Sequence, residues 1–194
     1  MSKKEYKYID TSSKELLEFN VKARKLTQEY NSVDYTDTEK KYSILKQLFA
    51  DIGENVAIDI NFFCEYGKNI SIGSDVIINS HCTLVDNEKI IIGNKVLIAP
   101  NVQIYTAYHP ILPEERLKDE RPTYFNTCAA PVEIKDGAWI GGGTIILPNV
   151  TIGRNSVIGA GSVVTRSIPD NCVAVGNPCR PIKFFDEIRK NKDV

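Results

Sequence analysis

A large aliphatic or aromatic residue recurs every six positions through most of this chain. The first run is Ile60, Tyr66, Ile72, Ile78 and Leu84. Two extra residues enter around Val85–Lys89, and the phase resumes at Ile92, Ile98 and Ile104 before it breaks. It restarts at Ile134 and continues through Ile140, Ile146, Ile152, Ile158 and Val164. The next position is often glycine or another small residue (Gly67, Gly73, Gly93, Ala99, Gly141, Gly153, Gly159). Two positions before it stands a second column of small or β-branched residues, including Cys64, Val76, Cys82, Val96, Thr144, Ser156 and Ser162. Neither a helical period of 3.6 nor simple strand alternation holds such a phase. A period of six needs one short strand and one turn per unit. Three units close a triangular coil of about 18 residues, and coils stack at the strand spacing of about 4.8 Å. The chain is therefore expected to be mostly β, a parallel β-helix of hexapeptide repeats over residues 56–180. On that arithmetic Cys64 and Cys82 stack one above the other inside it as small apolar residues.

Residues 12–30 have the spacing of an amphipathic helix, with Ser12 and Glu15 at capping-box separation. Residues 37–50 predict a second helix, with Thr36 and Glu39 as its box, Tyr42, Leu45 and Phe49 as its apolar stripe, and Gly53 as its stop. These helices, in an N-terminal segment 1–55, would cap one open end of the β-helix, as terminal repeats must. Residues 181–194 read as a short C-terminal helix packing Phe184 and Phe185.

The formal net charge of -1 gives no reason to expect nucleic-acid or membrane binding. No apolar run approaches the roughly 18 residues that span a bilayer. The N-terminus, MSKKEYKYID, has no apolar stretch of the signal-peptide kind, so a cytoplasmic protein with five free thiols is expected.

The repeat breaks at Ile104–Pro110, IYTAYHP, which holds one of the two histidines. Residues 105–131 carry prolines and many charges and cannot continue a prism wall, so they must project from it. A long excursion inside a compact repeat is usually functional. His109 stands at its base, behind an intact coil and before a proline. An imidazole with a pKa of about 6.5 can accept a proton from a hydroxyl at neutral pH. No GxSxG nucleophile motif is present.

The stretch IAPNVQIYTAYHP (98–110) resembles the IAPNV…(T/S)xxHP signature of the maltose, galactoside and Nod-factor O-acetyltransferases. The similarity extends to LFADIGENV, NSHCTLVDN, WIGGGTIILPNVTIG, VIGAGSVVT and GNPCRPI, and so covers nearly the whole chain. The resemblance implies a left-handed parallel β-helix, an exception to the right-handed crossover rule. It implies acetyl-CoA as co-substrate, no metal, a small hydroxylated acceptor such as a sugar, and a homotrimer with active sites between subunits. His109 falls on the family's general base for direct acyl transfer, with backbone N–H groups near Gly142 steadying the oxyanion. Acceptor contacts carry over to Asp10, Glu65, Asn79 and Asn87, with the N-terminal helices on the acceptor side. Cofactor contacts carry over to Trp139, Gly142, Ala160 and Thr165, and to Arg166, Arg180 and Lys183 as cations for the nucleotide phosphates. The chain departs from the family at Tyr108, where a glycine is usual, at Glu65, where relatives carry Asp or Ser, and at Asn87, where a relative has Asp. His81 is read as an outward corner residue.

Three rival readings share the prism. A γ-class carbonic anhydrase needs three histidines per zinc, and this chain offers only His81 and His109. A xenobiotic or other small-molecule acetyltransferase, or an inactive structural trimer, is the remaining alternative. Serine acetyltransferases carry a much larger helical N-terminal domain than this chain has.

Overall fold

The computed structural model describes residues 7–119 and 124–190. Three parallel sheets form the faces of a triangular prism. The first face stacks Asp51–Ile52, Ile70–Ile72, Ile90–Ile92, Val132–Ile134 and Val150–Ile152. The second stacks Ala57–Ile58, Ile77–Ile78, Leu97–Ile98, Trp139–Ile140, Val157–Ile158 and Cys172–Val175. The third stacks Phe63–Cys64, Thr83–Val85, Gln103–Tyr105, Ile145–Ile146 and Val163–Val164. The first strand of the prism begins at Asp51, five residues before the expected start of the β-helix.

The inward column is almost completely dry: Ile72, Ile92, Ile98, Ile104, Ile140 and Ile158 are all at or below 2% exposure. Burying each such side chain contributes about 1.5–3 kcal/mol, so a stack of them drives folding of the prism. The second column is buried as well, from Val76 and Val96 to Ser156 and Ser162.

The coil length differs from expectation. Ile58 pairs with Ile78 and Ile78 with Ile98, a step of 20 residues, whereas Ile140 pairs with Ile158, a step of 18. The two additional residues sit at the corner between the third and first faces, after Cys64 and again after Leu84. Cys64 therefore pairs with Leu84 and does not stack on Cys82. For the same reason Ile60 is not part of the inward column and is 38% exposed, while Tyr66 is a buried corner residue. All five cysteines are buried thiols.

Where a corner in the left-handed region is not glycine it is mainly asparagine, at Asn55, Asn61, Asn101, Asn149, Asn155 and Asn171. Asn tolerates that backbone better than most residues because its short side chain bonds locally. His81 (φ 60°) occupies such a corner between Asn61 and Asn101 and is exposed. Several repeat glycines answer a different demand. At Gly141 a Cβ would lie 2.6 Å from the backbone nitrogen of Ala160, so the next coil itself excludes a side chain.

Helix α1 (Lys14–Ser32) buries Ala23, Thr27 and Tyr30 against the prism, with Tyr30 edge-on to Phe62 at 5.0 Å. Helix α2 (Thr38–Leu48) buries Ile44, Leu45 and Leu48 over the open end. Both caps lie one residue later than the expected boxes. Asp10 engages Ser12, leaving Ser13 to accept from the Leu16 N–H, and Asp34 engages Thr36, leaving Asp37 to accept from the Lys40 N–H. Gly53 lies beyond the helix stop, which falls at Phe49.

The excursion 105–131 is structured in its described part. Ala107–Tyr108 and Thr127–Ala129 form an antiparallel sheet with Tyr8–Ile9, with Thr127–Ala129 in the centre, and a short helix α3 (Pro113–Arg116) lies in sequence between the two strands of the excursion. At the far end Arg180–Phe184 pairs antiparallel with Cys172–Val175, and helix α4 (Phe185–Lys190) follows. Phe184 ends the strand and is 44% exposed, its N–H donating to the Glu187 carboxylate of that helix (3.0 Å), and the helix itself begins at Phe185. Residues 120–123 of the excursion and 191–194 of the expected C-terminal helix lie outside the described residues. Among the described residues no helix is long and apolar enough to cross a membrane.

Candidate active site

The chain leaves the prism at Thr106. This residue is fully buried; its hydroxyl donates to the Val85 carbonyl (2.7 Å) and accepts from the Glu88 N–H (2.9 Å), pinning the point of departure. Three residues on, the ring of His109 is exposed, and its Nδ1 lies 2.8 Å from the backbone oxygen of Asn126. A carbonyl can only accept, so Nδ1 carries the hydrogen, and in the neutral ring Nε2 keeps a free lone pair. Asn126 is itself held: its N–H donates to the Arg116 carbonyl (2.7 Å) and its side-chain amide to the Glu115 carbonyl (2.8 Å).

His109 opens into a cavity of about 440 Å³. One wall is α1, through Leu16, Leu17, Asn20 and Arg24; the opposite wall is the corner between the third and first faces (the third corner), through Glu65, Tyr66, Val85 and Asn87; Thr11 and Thr127 close the edges. The polar groups in it are tied to one another. Glu65 accepts from the Asn20 amide (2.7 Å) and sits 3.7 Å from the Arg24 guanidinium, which lies 4.2 Å above the Phe63 ring. The Asn87 amide donates to the Tyr66 hydroxyl (3.3 Å). Burial, with Glu65 and Asp86 nearby, holds the Tyr66 phenol above its ordinary pKa.

Beneath this wall Asp86 is fully buried. Its carboxylate accepts from the N–H groups of Glu65 (3.0 Å), Tyr66 (2.8 Å) and Asn69 (3.3 Å). Desolvation outweighs those bonds and pushes the carboxyl up to about 6.

The residues expected at the site divide into three groups. His109, Glu65 and Asn87 share the cavity. Asp10 does not line it: its carboxylate turns back onto Ser12, whose hydroxyl bond is the main cause holding it below the ordinary carboxylate range, and Thr11 takes the lining position. Asn79 lies elsewhere, at the end of a second-face strand. It donates to the Ile98 carbonyl (2.8 Å) and borders a separate cavity of about 280 Å³ beneath α2.

The cofactor set is spread over the outside of the upper coils. Trp139 is 49% exposed on the second face, beside Leu97 and Val157. Gly142 and Ala160 follow on successive coils at the second corner, where the Gly161 N–H donates to the Gly142 carbonyl (2.8 Å). Thr165 and Arg166 are exposed after the last third-face strand; Arg180 and Lys183 are exposed on the terminal antiparallel strand. Within one chain these seven residues form an open surface and line neither cavity.

Thr11, Asn20, Arg24, Tyr66, Asp86 and Asn126 are members or supports of the site that sequence reasoning missed. A usable signal existed for the corner residues: Gly73 and Gly93 stand 20 residues apart, not 18. Nothing in the sequence announces that Asn20 and Arg24 of α1 face that corner.

Comparison with known proteins agrees with this architecture. Residues 7–53 match the maltose acetyltransferase hexapeptide capping motif, and residues 131–166 match the bacterial transferase hexapeptide (six repeats). The galactoside O-acetyltransferase of Escherichia coli K12 is 40% identical over 176 residues, 91% of this chain and 84% of the relative. The crystal structure of a maltose O-acetyltransferase from Clostridium difficile 630 superposes with a TM-score of 0.86 at 45% identity, covering 92% of each chain. A galactoside acetyltransferase in complex with coenzyme A gives a TM-score of 0.86 at 37% identity, covering 94% of this chain and 88% of that one.

Proposed function

The chain belongs to the hexapeptide-repeat sugar O-acetyltransferase family, and from that premise we propose that it moves an acetyl group from acetyl-CoA to a hydroxyl of a small sugar. The observation that carries the reading is the placement of His109. Its Nδ1–H is committed to the Asn126 carbonyl, and its Nε2 is left for the cavity that Glu65 and Asn87 share.

In this reading the acceptor sits against Glu65 and Asn87, whose oxygens and amide match sugar hydroxyls as acceptors and donors. His109 Nε2 takes the proton from one of those hydroxyls as it becomes nucleophilic. The bond to the Asn126 carbonyl fixes the ring's orientation and stabilises the imidazolium that results. Bound acetyl-CoA supplies a thioester carbonyl as the electrophile. His109 then returns its proton to the departing sulfur, so no acyl-enzyme forms.

The site needs more than one chain. Asn79 and Trp139 belong to the second face, whereas His109 departs from the third, so Asn79 would complete the site of a neighbouring copy. The outward row Ile77 (48% exposed), Leu97 (39%) and Trp139 (49%) is an apolar strip suited to such contact. A homotrimer places three such junctions around one axis, with Trp139, Gly142, Ala160, Thr165, Arg166, Arg180 and Lys183 along the open edge where acetyl-CoA would lie. A sedimentation mass of one chain at working concentration would contradict this assembly.

The direct test is a screen of sugars with acetyl-CoA, reading release of free thiol, in the wild type and in His109→Ala. Turnover is expected to fall by 10² or more with an unchanged circular dichroism spectrum, the range of a lost general base. Undiminished transfer by the variant would reject the role of His109.

A further inference from the structure

We propose that Asp86 is a positioning residue for the acceptor: its buried carboxylate holds the wide third corner that carries Glu65 and Tyr66 into the cavity beside His109. This rests on the reading of that cavity as the acceptor site.

The third corner is wide only in the coils that form the cavity. Cys64 to Ile72 and Leu84 to Ile92 span eight residues, whereas Ile146 to Ile152 spans six. Glu65 and Tyr66 come from the first wide corner and Asn87 from the second, and the chain departs towards His109 at the third. The two-residue expansion is thus what makes room for a wall of polar side chains on an otherwise narrow prism edge.

A wide corner creates a difficulty. The Glu65 N–H still reaches the Leu84 carbonyl (3.1 Å), but those of Tyr66 and Asn69 turn away from the strand ladder, and buried N–H groups need partners. Asp86, on the next coil, meets them. Oδ1 accepts from both Glu65 (3.0 Å) and Tyr66 (2.8 Å), Oδ2 accepts from Asn69 (3.3 Å), and the Asn69 amide donates to the Asp86 carbonyl (2.6 Å). No cation pairs with Asp86 among the described residues, so it is a backbone clasp and not half of a salt bridge. Thr106, one 20-residue step later, plays a similar part for the next wide corner, accepting from the Glu88 N–H and donating to the Val85 carbonyl. The ladder meets the Asp86 clasp only at Glu65, whose N–H keeps the Leu84 carbonyl as a partner, so loosening the clasp displaces the cavity wall while the prism stays intact.

The test is steady-state kinetics on Asp86→Asn and Asp86→Ala, with acetyl-CoA and sugar varied independently. Asparagine keeps an oxygen for Glu65 and Tyr66 and loses the bond to Asn69; alanine loses all three. The sugar KM is expected to rise in graded order, by about tenfold or more for alanine and less for asparagine, with the acetyl-CoA KM within about twofold of wild type. An unchanged sugar KM, or equal increases in both KM values, overturns the proposal. A crystal structure of Asp86→Asn, the variant more certain to fold, gives a readout independent of activity. Displacement of Glu65–Asn69 with intact ladders supports the clasp, and an unmoved corner overturns it. Absence of sugar acetylation by the wild type would strike at the functional reading instead, and the structural readout would still decide the clasp.

Discussion

The lower coils of the prism, residues 51–105, and the upper coils, residues 132–175, are built from the same hexads but to different lengths. Lower coils advance 20 residues and upper coils 18, falling to 16 in the last turn where Ile158 pairs with Ala174, and the differences are confined to one corner. The interior differs too. The column beside the large aliphatic residues is Val76, Cys82, Val96 and Val102 below, but above it mixes Ala138 and Val150 with the hydroxyl residues Thr144, Ser156 and Ser162. There the hydroxyls bond backbone carbonyls, as Thr144 does to Gly141 (2.7 Å) and Ser156 to Pro169 (2.6 Å). The upper coils are a plain scaffold with an open outer surface. The lower coils give up regularity at one edge, and that edge, with α1 and the excursion against it, holds the cavity. Irregularity in a repeat protein is where a site can be lodged, because a perfect wall has no concavity.

The strongest challenge to this division is His109→Ala. It should lower turnover by 10²–10⁴ without loss of stability, since the exposed ring supports no core contact; denaturation midpoints alongside kinetics check both halves of the statement. Ile140→Ala makes the reverse prediction for the upper coils. It should cost about 2–5 kcal/mol in a denaturant titration, the usual cost of emptying a buried isoleucine site, and leave the sugar KM unchanged. A shifted sugar KM would mean the two regions are not separable.

The pH dependence of stability sharpens the comparison, because the buried carboxyl lies below. Asp86 in the folded chain titrates at about 6, above its ordinary value. Between about pH 4 and 6 the folded state therefore holds a proton that the unfolded state has released. Stability from this group is present at the acidic end of that window and lost as pH rises through it, by up to about 3 kcal/mol. Urea midpoints across pH 4–7 should show that slope, and Asp86→Asn should flatten it; an unchanged slope would assign it to other groups. The smallest effect is expected from Arg24→Ala. The ion pair with Glu65 is half-exposed, worth about 0–1 kcal/mol, so stability should barely move while the sugar KM changes a few-fold.

Much of the site was legible where a short string carries it. His109, Glu65 and Asn87 could each be named from the letters around them, and they share one cavity. Asp10 and Asn79 were named the same way and lie outside it, Asp10 because Ser12 takes its carboxylate, Asn79 because it belongs to another face. Asn20 and Arg24 were invisible, since they join the site only through the way α1 crosses the third corner. Asp86 looked like one more letter in a turn until its three backbone partners, 17–21 residues earlier, were brought beside it.

The hexad phase by itself determined that short strands alternate with corners, and from Ile72 onward which side chains face inward; before the first wide corner it misplaced Ile60 and Tyr66. Inward or outward orientation is a local matter of strand alternation, and six residues suffice to set it. The width of a corner, the pairing of Cys64 with Leu84, and the meeting of helix, corner and excursion around one imidazole were decided only by tertiary structure. Each of these depends on the register accumulated around a whole coil, and register is a property of strands that touch, not of residues that follow one another.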